Sequence, residues 1–134
     1  MRFHHVGYAV QSISDYRFEF FDPLFSPLSV SRIVEDPIQR VRVCFAKMQG
    51  GVTIELVEPA ASDSPIKTII GSQRGGLYHQ CFEVDDLDEA IARFRSKSSL
   101  PLARPAPAAA FDGRRIAFVL TPQRDLIELL ESAL

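Results

Sequence analysis

Apolar and polar positions alternate through HHVGYAV at residues 4 to 10, which places Val6, Tyr8 and Val10 on one side of an extended chain. The period then lengthens. Ile13, Tyr16, Phe20, Phe21 and Leu24 recur at helical spacing behind Ser12 or Ser14. Either serine can cap a helix that Pro23 and Pro27 limit. Leu28 to Val34 predicts a weaker strand, Val41, Val43 and Phe45 another, and Val52 to Val57 a further one entered from a Gly50-Gly51 hairpin turn. Residues 58–76 hold Pro, Ser and Gly and read as a linker, with a short helix from Ser64-Pro65 through Ile70. Leu77 to Val84 predicts a strand. Asp86 with Glu89 makes a capping box for a helix whose apolar face is Leu87, Ala90, Ile91 and Phe94. Ser98 to Pro101 stops that helix. Residues 101–110, rich in Pro and Ala, leave room for a short extended piece, Phe111-Asp112-Gly113 reads as a turn, and Arg115 to Leu120 and Leu126 to Leu130 are the last strands.

The second half restates the first. His4 to Tyr16 aligns without a gap with Tyr78 to Ala90, and IELVE at residues 54–58 recurs as IELLE at residues 127–131. Two matches in the same order indicate an internal duplication, and two copies make a paired-module domain rather than a solenoid. Each copy reads β-α-β-β-β. The expectation is an α+β fold in which two βαβββ modules form a mostly antiparallel, cleft-containing sheet with helices outside. One domain then covers residues 1–134, with module one about 1–60 and module two about 75–134.

The same alternation sorts the polar residues. Ile54 and Leu56 suit a helix-covered face, so Thr53, Glu55 and Val57 turn to the other, concave face, and Glu128 does the same between Ile127 and Leu129. In the opening strands His5, Gly7 and Ala9 take the concave face, as do His79, Cys81 and Glu83, with Glu83 at the rim. Taken singly, a strand His or Glu is most often a hydrogen-bonded or solvated residue; symmetric recurrence is what singles these four out. If the strands bring them together, His5, Glu55, His79 and Glu128 make a metal site. Neutral imidazoles and carboxylates suit Mn, Fe, Co, Ni or Zn, and a dication relieves the repulsion of two carboxylates in one cavity. His4 and Tyr78 belong to the other face, and Glu58 and Glu131 read as surface charges. Arg42, Arg114 and Arg115 could hold a substrate carboxylate or phosphate, although strand-edge arginines are more often solvated.

Composition narrows the partners. The chain is 46% hydrophobic and 24% charged with a formal net charge of -2, so no basic excess exists for nucleic acid or an anionic membrane. No apolar run reaches the roughly 20 residues of a membrane span, and the N-terminus lacks a signal-peptide core. Cys44 and Cys81 match no redox or zinc spacing, which leads to the expectation of buried thiols in a cytoplasmic protein.

These motifs resemble the vicinal oxygen chelate superfamily over nearly the whole chain. HHVGYAV is similar to its first-strand H-x-G motif, VTIELVEP to its fourth strand, GGLYHQCFEV to its fifth-strand G-G-x-H-H pattern and DLIELLE to its last strand. The resemblance implies His5, Glu55, His79 and Glu128 as ligands of a divalent metal ion (Co, Ni, Mn, Zn or Fe). IELVEP followed by SDSPI, then GGLYHQCFEVDDL, resembles methylmalonyl-CoA epimerases more than glyoxalase I. The implied chemistry is proton abstraction next to a carbonyl of an acyl-CoA or other thioester-like small molecule through a metal-stabilised enolate. Glu128 would be the general base, and Glu55 the second catalytic carboxylate. A homodimer is expected. The pattern departs where epimerases place another carboxylate before the third strand: here stand Pro37, Ile38 and Gln39, and Glu35 or Asp36 would need a shifted register to substitute. The turn Pro122-Gln123-Arg124-Asp125 is shorter than the family's, and Tyr78 and Gln80 replace residues that are often His and an aliphatic. The alternatives are a glyoxalase I-like lyase and a non-catalytic, drug-binding protein of the same fold. A ring-cleaving dioxygenase fits less well, because its iron site takes two His and one carboxylate.

Overall fold

The period-two segments become strands in a computed structural model that describes residues 1–67 and 75–133. The chain divides into two compact units. One is His5–Tyr78; the other is His79–Leu134 together with Met1–His4. The architecture is α+β. In the first unit the order is β2-β4-β5-β1, built from β1 (Arg2–Ala9), β2 (Ser29–Val30), β4 (Val41–Lys47) and β5 (Thr53–Pro59), with β3 (Val34–Asp36) also on β4. In the second the order is β6-β10-β9-β7, built from β6 (Gly76–Val84), β7 (Leu100–Pro101), β9 (Arg115–Leu120) and β10 (Leu126–Glu131), with β8 (Ala106–Pro107) also on β9. Pairing is antiparallel except that each unit sets its opening strand parallel to its closing one, β1 to β5 and β6 to β10. A parallel pair cannot be joined by a tight turn, which is why a helix and further strands lie between the two in sequence.

The first helical stretch differs from its sequence pattern. Ser12 caps it, its Oγ accepting the Asp15 N–H at 3.3 Å. After α1 (Ile13–Tyr16) the chain widens to a π-helical turn over Arg17–Phe21, where the Asp22 N–H reaches back to the Arg17 carbonyl, before α2 (Asp22–Phe25). The wider turn changes the phase of the apolar face. Phe21 and Ile13 are buried, whereas Phe20 and Leu24, expected on the same face, remain exposed. Ser26 closes the stretch in the left-handed region at φ 45°. The strand expected over Leu28 to Val34 is also interrupted. Val30 pairs with Ala46 and Val34 with Val43, so one side carries an extra residue, and Ser31 fills the gap by accepting the Phe45 N–H on its Oγ at 2.9 Å.

Each unit has its own core on the helix side of its strands. Val10, Ile13, Phe21, Cys44, Ala46 and Leu56 form one, and Ile54 packs against it. Val84, Leu87, Ala90, Ile91, Ala117, Val119, Ile127 and Leu129 form the other beneath α3 (Leu87–Ser96). Asp86 caps α3 as the sequence predicts, accepting the Glu89 N–H at 2.8 Å. Gly50 and Gly51 turn the β4–β5 hairpin at φ 86° and 85°. Gly75 is required for a different reason: at φ 119° a Cβ there would lie 2.3 Å from the Ala9 carbonyl oxygen. Residues 66–67 are helical after Ser64-Pro65, and the continuation of that helix through Ile70 lies outside the described residues. Among the described residues no helix is long and apolar enough to cross a membrane.

Candidate functional site

Because Ile54 and Leu56 enter the first core, Glu55 between them points from the opposite face of β5. Register sets Glu55 beside Gly7 on β1 and Phe45 on β4. His5, two residues before Gly7, shares that face. Its ring Nε2 lies 3.1 Å from Glu55 Oε2, with His5 fully buried and Glu55 5% exposed. Gly7 places no side chain beside the pair, and the Phe45 ring meets the imidazole edge-on, 5.4 Å between centroids at 77°.

The second unit repeats the arrangement with other neighbours. Ile127 and Leu129 enter its core, and Glu128 points away from them. Register sets Glu128 beside Cys81 on β6 and Phe118 on β9. His79 Nε2 lies 3.1 Å from Glu128 Oε2, both residues are buried, and the Phe118 ring meets His79 edge-on at 5.4 Å and 80°. A buried carboxylate is costly unless something offsets its charge. Imidazole nitrogen beside carboxylate oxygen is also the donor chemistry of divalent transition-metal sites. A separation of 3.1 Å matches two donors each about 2.1 Å from a shared ion, so each pair suits such an ion.

The other polar candidates are engaged elsewhere. Arg42, a possible anion binder from sequence, lies opposite Glu58 in register and donates from Nε to Glu58 Oε1 at 2.9 Å. Arg115 holds Glu131 in the equivalent place, Nη2 to Oε1 at 2.6 Å, and also reaches Asp88 at 3.2 Å. Glu58 and Glu131 are therefore not plain surface charges. Glu58 also accepts the Ile13 N–H at 3.2 Å, at the start of α1. The Arg115 guanidinium holds the Glu131 carboxyl below its ordinary range. Arg114 donates to Glu83 at 2.8 Å and lies over the Phe111 ring. Glu83, expected at a pocket rim, also accepts from Arg2 at 2.9 Å, and these two arginines, Arg2 foremost, pull its carboxyl down. No sequence signal marked these cross-strand pairs, because their members stand 16 positions or more apart. Their trace was the repeat itself: Arg42 and Glu58 recur as Arg115 and Glu131.

The departure before the third strand is a built turn. Asp36 is buried, and its Oδ1 accepts the N–H groups of Ile38 and Gln39 at 3.0 and 2.9 Å. Glu35 stands opposite Arg42 in register. Ile38 is exposed. His4, assigned to the other face, meets the Phe111 ring edge-on at 5.5 Å. Neither Cys44 nor Cys81 is disulfide-bonded, both are buried, and burial pushes the Cys44 thiol up to about 11.

A family model described as the Glyoxalase/Bleomycin resistance protein/Dioxygenase superfamily matches residues 4–118. The uncharacterized protein YqjC of Bacillus subtilis is 32% identical over 97% of this chain and 91% of its own length. The mitochondrial methylmalonyl-CoA epimerase of Mus musculus is 31% identical over 88% of this chain, which spans 65% of the mouse protein. Among solved structures, a variant of the Streptomyces coelicolor methylmalonyl-CoA epimerase in complex with 2-nitronate-propionyl-CoA superposes with a TM-score of 0.80 at 27% identity, over 100% of this chain and 99% of that one.

Proposed function

We infer the function of this chain from the family it belongs to, the Glyoxalase/Bleomycin resistance protein/Dioxygenase superfamily. It is an enzyme of the epimerase and isomerase kind, similar to methylmalonyl-CoA epimerases in sequence and in fold. Its reaction is removal and return of a proton on the carbon next to a carbonyl, in an acyl-CoA or a related thioester. The observation that carries this reading is the recurrence of one buried His–Glu pair in the equivalent strands of both units.

His5, Glu55, His79 and Glu128 together would hold one divalent transition-metal ion, Co, Ni, Mn, Zn or Fe. Two imidazoles supply neutral nitrogen, and two carboxylates balance a double positive charge. Bound there, such an ion supplies Lewis acidity that stabilises negative charge on a substrate carbonyl oxygen. The residues do the rest. Glu128 takes the proton as general base, because its carboxylate is buried beside the His79 imidazole, at 3.1 Å, and kept from bulk water. Glu55 is the second carboxylate, hydrogen-bonded to the His5 ring at 3.1 Å. The turn of residues 37–40 carries no carboxylate, and Asp36 is taken up in that turn. Glu128 therefore works without an opposing base from this turn.

The test is solvent exchange at the α-carbon. Metal-loaded protein in D2O is mixed with 2-substituted acyl-CoA thioesters, methylmalonyl-CoA first, and deuterium is read by mass spectrometry. We expect deuterium at the α-carbon with the parent, lost with Glu128→Gln and on chelation. Metal-loaded protein that exchanges no thioester α-proton overturns the reading. Conversion of a hemithioacetal instead would mark a glyoxalase I-like lyase; ligand binding without metal uptake would mark a drug-binding protein. On this reading the chain acts as a cytoplasmic homodimer, which light scattering on purified protein checks.

A further inference from the structure

The β4–β5 and β9–β10 segments align without a gap, and few of their positions are identical. They are Arg42 with Arg115, Phe45 with Phe118, Ile54 with Ile127, Glu55 with Glu128, Leu56 with Leu129 and Glu58 with Glu131. Five of these six have a role already described. Ile and Leu fill the cores, Arg and Glu make the cross-strand ion pair, and Glu55 and Glu128 belong to the His–Glu pairs. The phenylalanine remains. Around it the strands have diverged: Val43 answers to Ile116, Cys44 to Ala117, Ala46 to Val119 and Lys47 to Leu120. A position that needed only an apolar filler would have drifted as those did.

The geometry says what the ring does. Phe45 lies directly across from Glu55, and Phe118 directly across from Glu128, so each ring is on the face of its own His–Glu pair. Each meets its imidazole in the same edge-on arrangement, 5.4 Å between centroids and nearly perpendicular. That arrangement is the attractive one for two aromatic rings, and it restricts rotation of the imidazole about its last side-chain bond. With the ring plane fixed, Nε2 stays at 3.1 Å from the carboxylate rather than swinging away. We propose that Phe45 and Phe118 are positioning residues. Each fixes the imidazole plane of His5 or His79, so that the His–Glu pair is arranged before a metal ion arrives. The inference rests on the metal reading above for its consequence, since donors ordered in advance bind more tightly than donors that must be ordered on binding.

The experiment uses Phe118→Leu, Phe45→Leu and, as the variant that keeps a ring, Phe118→Tyr. Leucine keeps the position apolar but has no ring edge. Apparent affinity for Co²⁺ is measured by competition with a chelator, and thermal melts of the metal-free proteins establish that each is folded. Each leucine variant is expected to bind Co²⁺ about threefold to tenfold more weakly, with Phe118→Tyr close to the parent. The chain has three histidines, so their ring signals are few enough to follow by NMR in the metal-free protein. Phe118→Leu should move those of His79 and spare those of His5, and Phe45→Leu the reverse. Leucine variants with parental Co²⁺ affinity and unmoved histidine signals overturn the proposal. A parent that takes up no Co²⁺ overturns the metal reading instead, and the metal-free spectra then decide the orienting role alone.

Discussion

Glu128 and Leu129 are neighbours on β10, and substitutions at the two should have opposite consequences. Leu129 is fully buried in the core beneath α3, among Val84, Leu87, Ile91 and Val119. Leu129→Ala removes three carbon atoms from a close-packed site and leaves a cavity. Leucine-to-alanine changes of that kind cost about 3–5 kcal/mol, from lost transfer energy plus incomplete collapse. For a chain of this size that is a fall in Tm of about 10–20 °C. Glu128→Gln keeps the shape of the side chain and removes the charge. It deletes no apolar packing, and it exchanges a buried carboxylate beside an imidazole for a neutral amide, so the stability change should stay within about 1 kcal/mol. The assay is urea unfolding of metal-free protein followed by circular dichroism, with bound metal measured separately after loading below the melting transition. Leu129→Ala should lose stability and keep its metal. Glu128→Gln should keep its stability and lose metal. The same contrast should hold for Leu56→Ala against Glu55→Gln, since Leu56 is fully buried in the other core. Equal destabilisation by the two substitutions, or retention of metal by Glu128→Gln, would refute the assignment of the two strand faces.

Gly75→Ala sets a Cβ 2.3 Å from the Ala9 carbonyl oxygen at a backbone angle that disfavours side chains, so a loss of about 2–4 kcal/mol is expected in chemical unfolding, and a parental midpoint would contradict the local geometry. Cys44 should resist a thiol reagent in native protein at pH 8, where a thiol titrating at about 11 is roughly one part in a thousand thiolate, and should react at once in denaturant. Its folded value lies above the unfolded 9.0, so its stabilising contribution is complete below about pH 9 and lost as pH rises towards 11; Cys44→Ala should flatten that part of the stability profile. Glu131 shows the opposite sign. Its carboxyl is held low by Arg115, so the contribution is present above its ordinary 4.5 and lost as pH falls through the folded value. The pair is partly exposed, so Arg115→Gln should cost little stability, and 1 M salt should erase most of that loss.

How far the sequence reached depended on the range of the interaction concerned. Alternation in IELVE and IELLE placed Ile54, Leu56, Ile127 and Leu129 towards the helices, because the face a strand residue takes follows from its own segment. Capping by Asp86, and by Ser12 as one of two candidate serines, was legible for the same reason, since donor and acceptor stand three positions apart. The π-helical turn was not legible. Ile13, Tyr16, Phe20 and Leu24 fit an ordinary helix, whereas in the wider turn it is Phe21 that joins the core containing Ile13 and Leu56, a strand residue that the local pattern does not see. The extra residue beside Ser31 was hidden likewise, because its compensating hydrogen bond comes from Phe45 on another strand. Arg42, Arg114 and Arg115 looked available for an anion because their carboxylate partners belong to other strands.

The duplication turns that blind spot into a method. Two copies of one hairpin have had the same geometry to satisfy with independent changes, so identity between them marks positions where geometry leaves one choice. Applied to residues 41–58 and 114–131, the comparison finds the core-facing Ile and Leu, the buried Glu, the Arg–Glu ion pair and the Phe beside each histidine. It also shows where the copies part. Gly7 in the first answers to Cys81 in the second, each directly beside its glutamate, so Glu55 has a strand neighbour without a side chain and Glu128 has one with a thiol. On the proposed function, a bulky acyl group is better accommodated beside the glycine, and the proposed base is the glutamate beside the larger neighbour. On that argument Gly7→Ala should raise KM for bulky thioesters more than it lowers kcat, while Cys81→Gly, by loosening the surroundings of Glu128, should lower kcat. Steady-state kinetics on a series of acyl chains of increasing size checks this, and equal effects on KM and kcat in both variants would show that the asymmetry has no bearing on the division of roles between the two glutamates.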